Sequence, residues 1–366
     1  MQLGDICTKS SSNIAQKDLE NCNGVYPVYG ASGLIKCVDF YQQEHPYVAV
    51  VKDGAGVGRV MQLPAKSSVI GTMQYIIPNK GISVRYLAYA MEHMNLAKYY
   101  TGATIPHIYF KDYCKENLRA HTLDEQCHIA IVLDKIVALI FLHNRQLAKL
   151  DDLVKARFVE MFGDPAANPM NWNRVPLSAC LKSIDNGRSF VCSAVPRTGN
   201  QPAVLKLSAV TYGSYRPEEN KAMLDERLFV EAAEVHRGDL LFTRKNTPEL
   251  VGMCAYVYDT PGRLMMPDLI FRLNTTDQCC KIFLWKLINH DLFRDCIQSI
   301  ATGSAKSMSN ISKERLLNLT VILPPIELQE KFAAFVEQTD RTRALIQKSL
   351  VQLETLKKSL MQAYFS

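Results

Sequence analysis

Apolar residues recur at steps of three and four along two long stretches of the chain. The first runs Ile129, Leu133, Ile136, Ile140, Leu147, Leu150, Val154 and Met161, with His143 and Arg157 filling the gaps in the series. The second runs Phe332, Val336, Thr339, Ile346, Leu350, Leu353, Leu360 and Tyr364. Such a stripe is the seam of a helix that lies along a partner. The spacing predicts helices within 122–162 and 323–366. Thr122-Leu123-Asp124-Glu125 is a capping box that opens the first, and Gly163 and Pro165 stop it. Pro324-Pro325 opens the second, since proline is tolerated in a first turn. Both seams weaken midway, at His143-Asn144 and from Thr339 to Arg343, where polar residues lower stability but fix register. At about 38 residues each helix would be roughly 57 Å long. Alone, each would expose its stripe. The two are therefore expected to pair, antiparallel, through Ile129, Ile136, Ile140, Leu147, Leu150, Phe332, Val336, Ile346, Leu350 and Leu353. In the competing arrangement each packs on its own globular domain.

Elsewhere the pattern is mixed. "YPVYGASGLIKCVDFY", "YVAVVKD" and "SVIGTMQYIIP" read as strands and turns, and "SVRYLAYAMEHMNLAKYY" as a helix. After the first seam, "AVLKLSAV", "GDLLFTRK", "VGMCAYVYD" and "LIFRLN" read as strands, and "KIFLWKLINHDLFRDCIQSI" as a helix. The chain repeats itself. From Thr101 and again from Thr302, a Thr-Gly loop leads through a Lys-rich turn and a short apolar strand into a long helix, at Gln126 or Gln329. With those glutamines aligned, Ile129 falls on Phe332, Ala130 on Ala333, Leu147 on Leu350 and Phe162 on Phe365. The fold class expected is α+β. Two tandem mixed α/β domains, 1–121 and 172–322, are separated by long helices over 122–162 and 323–366 that pair as an antiparallel coiled coil. Residues 163–171 form a linker, and the halves form an internal pseudo-two-fold repeat.

The stretch "VAVVKDGAGVGRVMQL", Val48 to Leu63, first suggests a nucleotide loop. Its spacing is G-x-G-x-G, not G-x-G-x-x-G, and Arg59 to Leu63 alternates at period two, so it reads as strand, glycine turn, strand. Other chemistry is also missing. Asn168-Pro169-Met170-Asn171 lacks the second proline and the aromatic residue of an amino-methyltransferase motif. Pro267-Asp268 has no D-x-K or E-x-K after it to complete a metal-dependent nuclease, and Glu219-Asn220-Lys221 lies upstream. No H-E-x-x-H or G-x-S-x-G occurs. His45, His107 and His236 are scattered through loops. No covalent chemistry and no metal or cofactor site is expected in this chain, which leaves binding.

The 366 residues carry a net charge of +6, which fits an anionic partner without demanding one. The eleven cysteines form no C-x-x-C. Met1 to Asp5 lacks the basic head and apolar run of a signal peptide. Reduced, buried cysteines and a cytoplasmic location are therefore expected; the vicinal pair Cys279-Cys280 could hold a soft metal, but buried thiols are the plainer reading. The longest apolar run, Ile129 to Leu142, is broken by Asp134 and Lys135, so no membrane is expected. A long rod between two unlike heads suits two-point recognition. On DNA, two reading heads bind half-sites about 34 Å apart.

The repeated order of Thr-Gly loop, strand, Leu-Pro-Pro-x-x-x-Gln and long helix, with the linker "FGDPAANPMNW", resembles the specificity subunit of type I restriction–modification systems. The likeness spans essentially the whole chain. It is carried most specifically by "LTVILPPIELQEKFAAFVEQTD", "GDLLFTRKNTPELVG", "YPVYGASG" and "MFGDP". The first half departs from it, with His121-Thr122-Leu123-Asp124 where Leu-Pro-Pro is expected. The resemblance implies two target-recognition domains, each reading one half of a split sequence in double-stranded DNA, with the paired helices setting the unread spacer. It also implies two methyltransferase subunits, which carry S-adenosylmethionine, docked on this scaffold. Restriction subunits can join them. The candidate DNA-binding residues are Tyr29, Gly30, Ser32, Lys52, Gly54, Gly56, Arg59, Thr101, Thr104 and His107 in the first half. In the second they are Lys206, Tyr212, Tyr215, Arg216, Thr243, Arg244, Lys245, Asn246, Lys306, Ser307 and Asn310. Glycines permit close approach to a phosphate or base edge, and Lys, Arg, Ser, Thr and Asn reach both. Two rival readings are a coiled-coil scaffold with two β-rich protein- or peptide-binding domains, and a fragment of a fused restriction–methylation enzyme.

Overall fold

A computed structural model describes residues 1–102, 105–303 and 308–366 of the chain. It divides into two compact units, Met1–Gln146 with Ile346–Ser366, and Leu147–Leu345.

In the first unit α1 (Leu3–Ile6) leads into β1 (Cys7–Ser11), β2 (Tyr26–Gly30), β3 (Gly33–Val38), β4 (Tyr47–Val51), β5 (Val60–Leu63), β6 (Ser68–Val69) and β7 (Met73–Pro78). Then come α2 (Val84–His93), α3 (Phe110–Tyr113) and the start of α4 (Leu123–Phe162). The main sheet is antiparallel in the order β1-β7-β4-β5, and a smaller sheet, β3-β2-β6, joins β2 to β6 in parallel. Every residue of β4 is buried, which is what an apolar β-branched run without alternation demands. One face of the sheet packs Val48, Val50 and Ile76 on Tyr86, Leu87 and Met91 of α2, and on Ile129 and Leu133 of α4.

The second unit holds β8 (Arg174–Pro176), β9 (Leu181–Asn186), β10 (Ala203–Leu205), α5 (Ser208–Thr211), β11 (Asn220–Ala222), β12 (Leu240–Thr243) and β13 (Lys245–Asn246). It continues with β14 (Cys254–Tyr256), β15 (Leu264–Met265), β16 (Ile270–Thr275), α6 (Lys281–Ile288) and α7 (Arg294–Ser299). Last come β17 (Ser309–Asn310), α8 (Lys313–Leu317), β18 (Thr320–Ile322) and α9 (Ile326–Phe365). Its sheets run β9-β16-β12-β14 and β11-β10-β15, the latter again with one parallel pair. In these two sheets the strand order repeats that of the first unit, and the short pairs β13-β17 and β18-β8 are added.

Four expected elements come out differently. The helix expected from Ser83 to Tyr100 ends at His93, and Asn95 turns left-handed with φ of +50° before a short 3-10 turn over Leu96–Tyr99. "AVLKLSAV" is not one strand, because β10 ends at Leu205 and α5 begins at Ser208. The single helix expected from Lys281 to Ile300 breaks into α6 and α7. Asn289 is drawn to the sheet, accepting from Cys254 N at 2.9 Å and donating to Cys254 O at 2.8 Å, and His290 is extended. The short strand before the first long helix is only a bridge from Asn117 to Gln2, whereas β18 pairs with β8.

The two glutamines that align the halves do matched work. Ser83 N, at the cap of α2, donates to Gln126 Oε1 at 3.0 Å, and Cys280 N, at the cap of α6, donates to Gln329 Oε1 at 2.9 Å. Each glutamine also donates to the carbonyl five residues earlier, His121 O or Pro324 O. An orphan N–H at one helix start is thereby satisfied by a side chain of the long helix that follows later in the same half.

The long helices α4 and α9 have 40 residues each, about 60 Å. Within the first unit, Met361 and Phe365 share a core with Ile129 and Leu133, and His143 Nε2 lies 3.0 Å from Ser349 Oγ. Within the second, Phe332 meets Phe158 edge-on at 5.4 Å, and Arg343 donates to Asp151 at 2.5 Å. Ile129 and Phe332 thus sit in the domain cores as well as between helices. Ile136 and Val336 are buried, while Ile140, Leu147, Leu150, Ile346, Leu350 and Leu353 are half-buried. By length and composition alone α4 could cross a membrane, with a window of mean hydropathy 1.6; Asp134 and Lys135 do not interrupt it enough to fail that test. Its buried face is spent on the two cores.

Candidate nucleic-acid interface

At one end of the first sheet β1 and β4 leave while β5 and β7 enter, so their connections gather there. Lys52 follows β4. Its N–H donates to Thr72 O at 3.0 Å, and its carbonyl accepts from Ile108 N at 3.0 Å. Thr101 and His107 exchange backbone hydrogen bonds of 2.8 and 2.9 Å, closing a loop beside it. His107 Nδ1 contacts the Asp53 carboxylate, and Lys52 Nζ lies 3.9 Å from that same group. Gly54 has φ of +90° and open space where a side chain would stand. Arg59 Nη1 donates to Ala31 O at 2.6 Å, which ties the Tyr29–Ser32 turn to the glycine loop. Gly30 in that turn is buried, and Ser32 is exposed.

The same end of the second sheet repeats this wiring. Arg244 follows β12, its N–H donates to Leu269 O at 3.0 Å, and its carbonyl accepts from Ile311 N at 2.8 Å. Thr302 and Asn310 exchange bonds of 2.8 and 2.7 Å. Lys52 thus matches Arg244, and His107 matches Asn310. Gly58 and Gly252 also match, each donating to the last residue of its strand, Val51 or Thr243, at 2.8 and 2.9 Å. Both have positive φ, +85° and +76°, and an added Cβ would strike Ala97 or Ile297.

Arg244 is held firmly. Its guanidinium lies 4.9 Å from the Phe271 ring centroid and donates through Nη2 to Asn310 Oδ1 at 3.2 Å. Lys245 is half-buried, with no side-chain partner among the described residues. Thr243 and Asn246 were expected to reach DNA but are buried. The Thr243 hydroxyl accepts from Met253 N at 2.9 Å, and Asn246 Nδ2 donates to Thr211 Oγ1 at 3.0 Å, so both brace the loop from behind.

Tyr212, Tyr215, Arg216 and Lys206 lie in the β10–β11 connection. It occupies the place of the two-residue Ala31-Ser32 turn in the smaller sheet of the first unit, since Leu205 pairs with Asn220 as Gly30 pairs with Gly33. Tyr212 is 59% exposed, with Arg216 stacked 4.9 Å over its ring. Tyr215 is turned inward. Its hydroxyl meets Thr260 Oγ1 at 2.7 Å and burial pushes its pKa up to about 12. Lys206 pairs with Glu219 at 3.5 Å. Thr104, Lys306 and Ser307 lie outside the described residues. Arg188, Ser189 and Asp268 were not foreseen at this end; the Pro267-Asp268 dipeptide was their one visible signal. Among the described residues no group of three His, Cys, Asp or Glu is placed to hold a metal ion.

Two α+β domains whose main sheets share one strand order, each with one loop-bearing sheet end and joined to 40-residue helices, define a tandem duplication of a single plan. The chain belongs to the type I restriction modification DNA specificity domain family, which matches residues 1–152 and 191–355. It is 31% identical over 175 residues to the type I restriction enzyme EcoEI specificity subunit of Escherichia coli, covering 47% of this chain and 30% of that protein. The chain thus spans under a third of that relative. To the type I restriction enzyme MjaVIII specificity subunit of Methanocaldococcus jannaschii it is 23% identical over 340 residues, 86% of this chain and 77% of that one. Its fold is similar to the crystal structure of the type I restriction–modification S subunit from M. genitalium, with a TM-score of 0.67 at 12% identity over 100% of this chain and 95% of the other.

Proposed function

We propose that this chain is the non-catalytic DNA-specificity subunit of a type I restriction–modification complex. Each unit reads one half of a bipartite site in double-stranded DNA through its loop-bearing sheet end. The long helices pair as an antiparallel coiled coil, relate the halves as a pseudo-two-fold repeat, set the spacer and dock two methyltransferase subunits. Those subunits bring S-adenosylmethionine, restriction subunits can join, and the assembly works in the cytoplasm without a membrane.

The observation that carries this reading is the matched wiring of Lys52 with His107 and Arg244 with Asn310. One backbone frame offers a different cation and a different polar partner in each unit. That is the economy expected of two heads that read different sequences by loop variation on one fold. The half-buried seam residues and the His143–Ser349 and Asp151–Arg343 contacts support helix pairing. The test is sequencing of modified bases in host DNA with and without this gene. A split motif that disappears with the gene is expected; an unchanged pattern refutes the proposal.

A further inference from the structure

The corner formed by residues 187–189 and 266–269 carries a side-chain pair that this reading leaves unused. Arg188 N donates to Met266 O at 2.9 Å, which folds the end of β9 over the start of β16. The Ser189 hydroxyl donates to Asp268 Oδ1, and Asp268 N donates back to Ser189 Oγ at 3.2 Å. The next residue, Leu269, supplies the carbonyl on which Arg244 N rests. An exposed carboxylate is therefore fixed one residue along the chain from the carbonyl that receives the backbone N–H of Arg244, the best-held cation of the candidate interface.

A carboxylate on a face that meets DNA is repelled by phosphates, and it is tolerated where it accepts from a donor on a base edge. In the major groove those donors are the amino groups of cytosine and adenine. Adenine sets its N7 acceptor beside the donor, which an acceptor-only carboxylate repels, and guanine and thymine present acceptors where cytosine presents N4. Ser189 occupies one oxygen and leaves Oδ2 for the base. On the DNA-reading function proposed above, we infer that Asp268, positioned by Ser189, reads the N4 amino group of a cytosine in the half-site of the second unit. Exposed Arg188, with no side-chain partner among the described residues, offsets the carboxylate charge and offers a fork suited to the paired guanine.

The test uses the full chain assembled with its methyltransferase subunits, as parent, Asp268→Asn and Ser189→Ala. The modified motif is sequenced, and binding is competed with duplexes in which each pair of the second half-site is replaced in turn. The parent should prefer cytosine at one position by on the order of 10- to 100-fold. Asp268→Asn should lose that preference or move it to adenine, whose N6 and N7 match an amide, with the first half-site and spacer unchanged. Ser189→Ala should weaken the preference at that same position. An unchanged Asp268→Asn motif, an equal loss of affinity for every duplex, or a second half-site without a G·C pair overturns the inference alone. A parent complex that marks no bipartite site refutes the proposed function and the inference with it.

Discussion

At the scale of single residues, the same helix-and-sheet frame uses cations in two ways. Arg244 is stacked and hydrogen-bonded, so little freedom remains to be lost when it meets an acceptor. Arg244→Ala should weaken binding through the second half-site only. It should cost about 1–3 kcal/mol at one base position if the contact is to a base edge, as competition with substituted duplexes would reveal; an equal loss for every sequence would make it a phosphate contact. Lys286 is the opposite case. Burial pulls its pKa down to about 8, against the opposing pull of Asp340 and Asp151. Both carboxylates are already served by Arg343, at 2.5 Å from Asp151 and 3.4 Å from Asp340. A lysine whose folded pKa lies below its unfolded value burdens the fold at neutral pH. The burden fades as pH rises through the folded pKa toward the usual one of about 10.4. Lys286→Met should therefore raise stability near pH 7 by about 1 kcal/mol, with a gain that shrinks toward about pH 10. Melting curves at both ends of that range check the sign, and a variant less stable than its parent near pH 7 contradicts it.

At the scale of elements, the glutamine clasp explains why two short sequences align across the repeat when most of their surroundings do not. Gln329 is fully buried, accepts from Cys280 N and donates to Gln278 O and Pro324 O at 3.1 and 2.7 Å. Gln329→Ala should destabilise the second unit by about 1–3 kcal/mol, because it removes the partner of Cys280 N, Gln278 O and Pro324 O, the last of them in a buried hydrogen bond. Denaturant unfolding measures this, and a loss under about 0.5 kcal/mol, the range of an ordinary surface change, would show the clasp to be dispensable. Periodicity made the long helices legible, and a β-branched run made β4 legible. The helix break at His290 was hidden, because it depends on Asn289 being taken up by Cys254, far away in sequence. The site was legible only in part. Lys52, Arg244, His107 and Asn310 stood in loops of the right composition. The burial of Thr243 and Asn246 and the pairing of Arg244 with Leu269, the residue after Asp268, are set by strand register, which loop composition does not encode.

At the scale of the whole molecule, the proposed ruler makes a demand on helix geometry that differs with insertion length. Each residue adds about 1.5 Å and turns the seam by about 100°. Four residues added between His143 and Leu147 of α4 lengthen the helix by about 6 Å while returning the apolar stripe to within about 40° of its old direction, a stutter that a coiled coil absorbs. Two residues turn the stripe by about 200° and aim Leu147 and Leu150 away from their partners. The four-residue insertion should therefore leave an active assembly whose two half-sites are unchanged but whose tolerated spacer differs by one or two base pairs, at about 3.4 Å per step. The two-residue insertion should abolish modification. Sequencing of modified bases in hosts carrying each variant reads both results at once. If the four-residue variant marks the parental site with its parental spacer, the helices do not set the distance between the half-sites, whatever else they hold together.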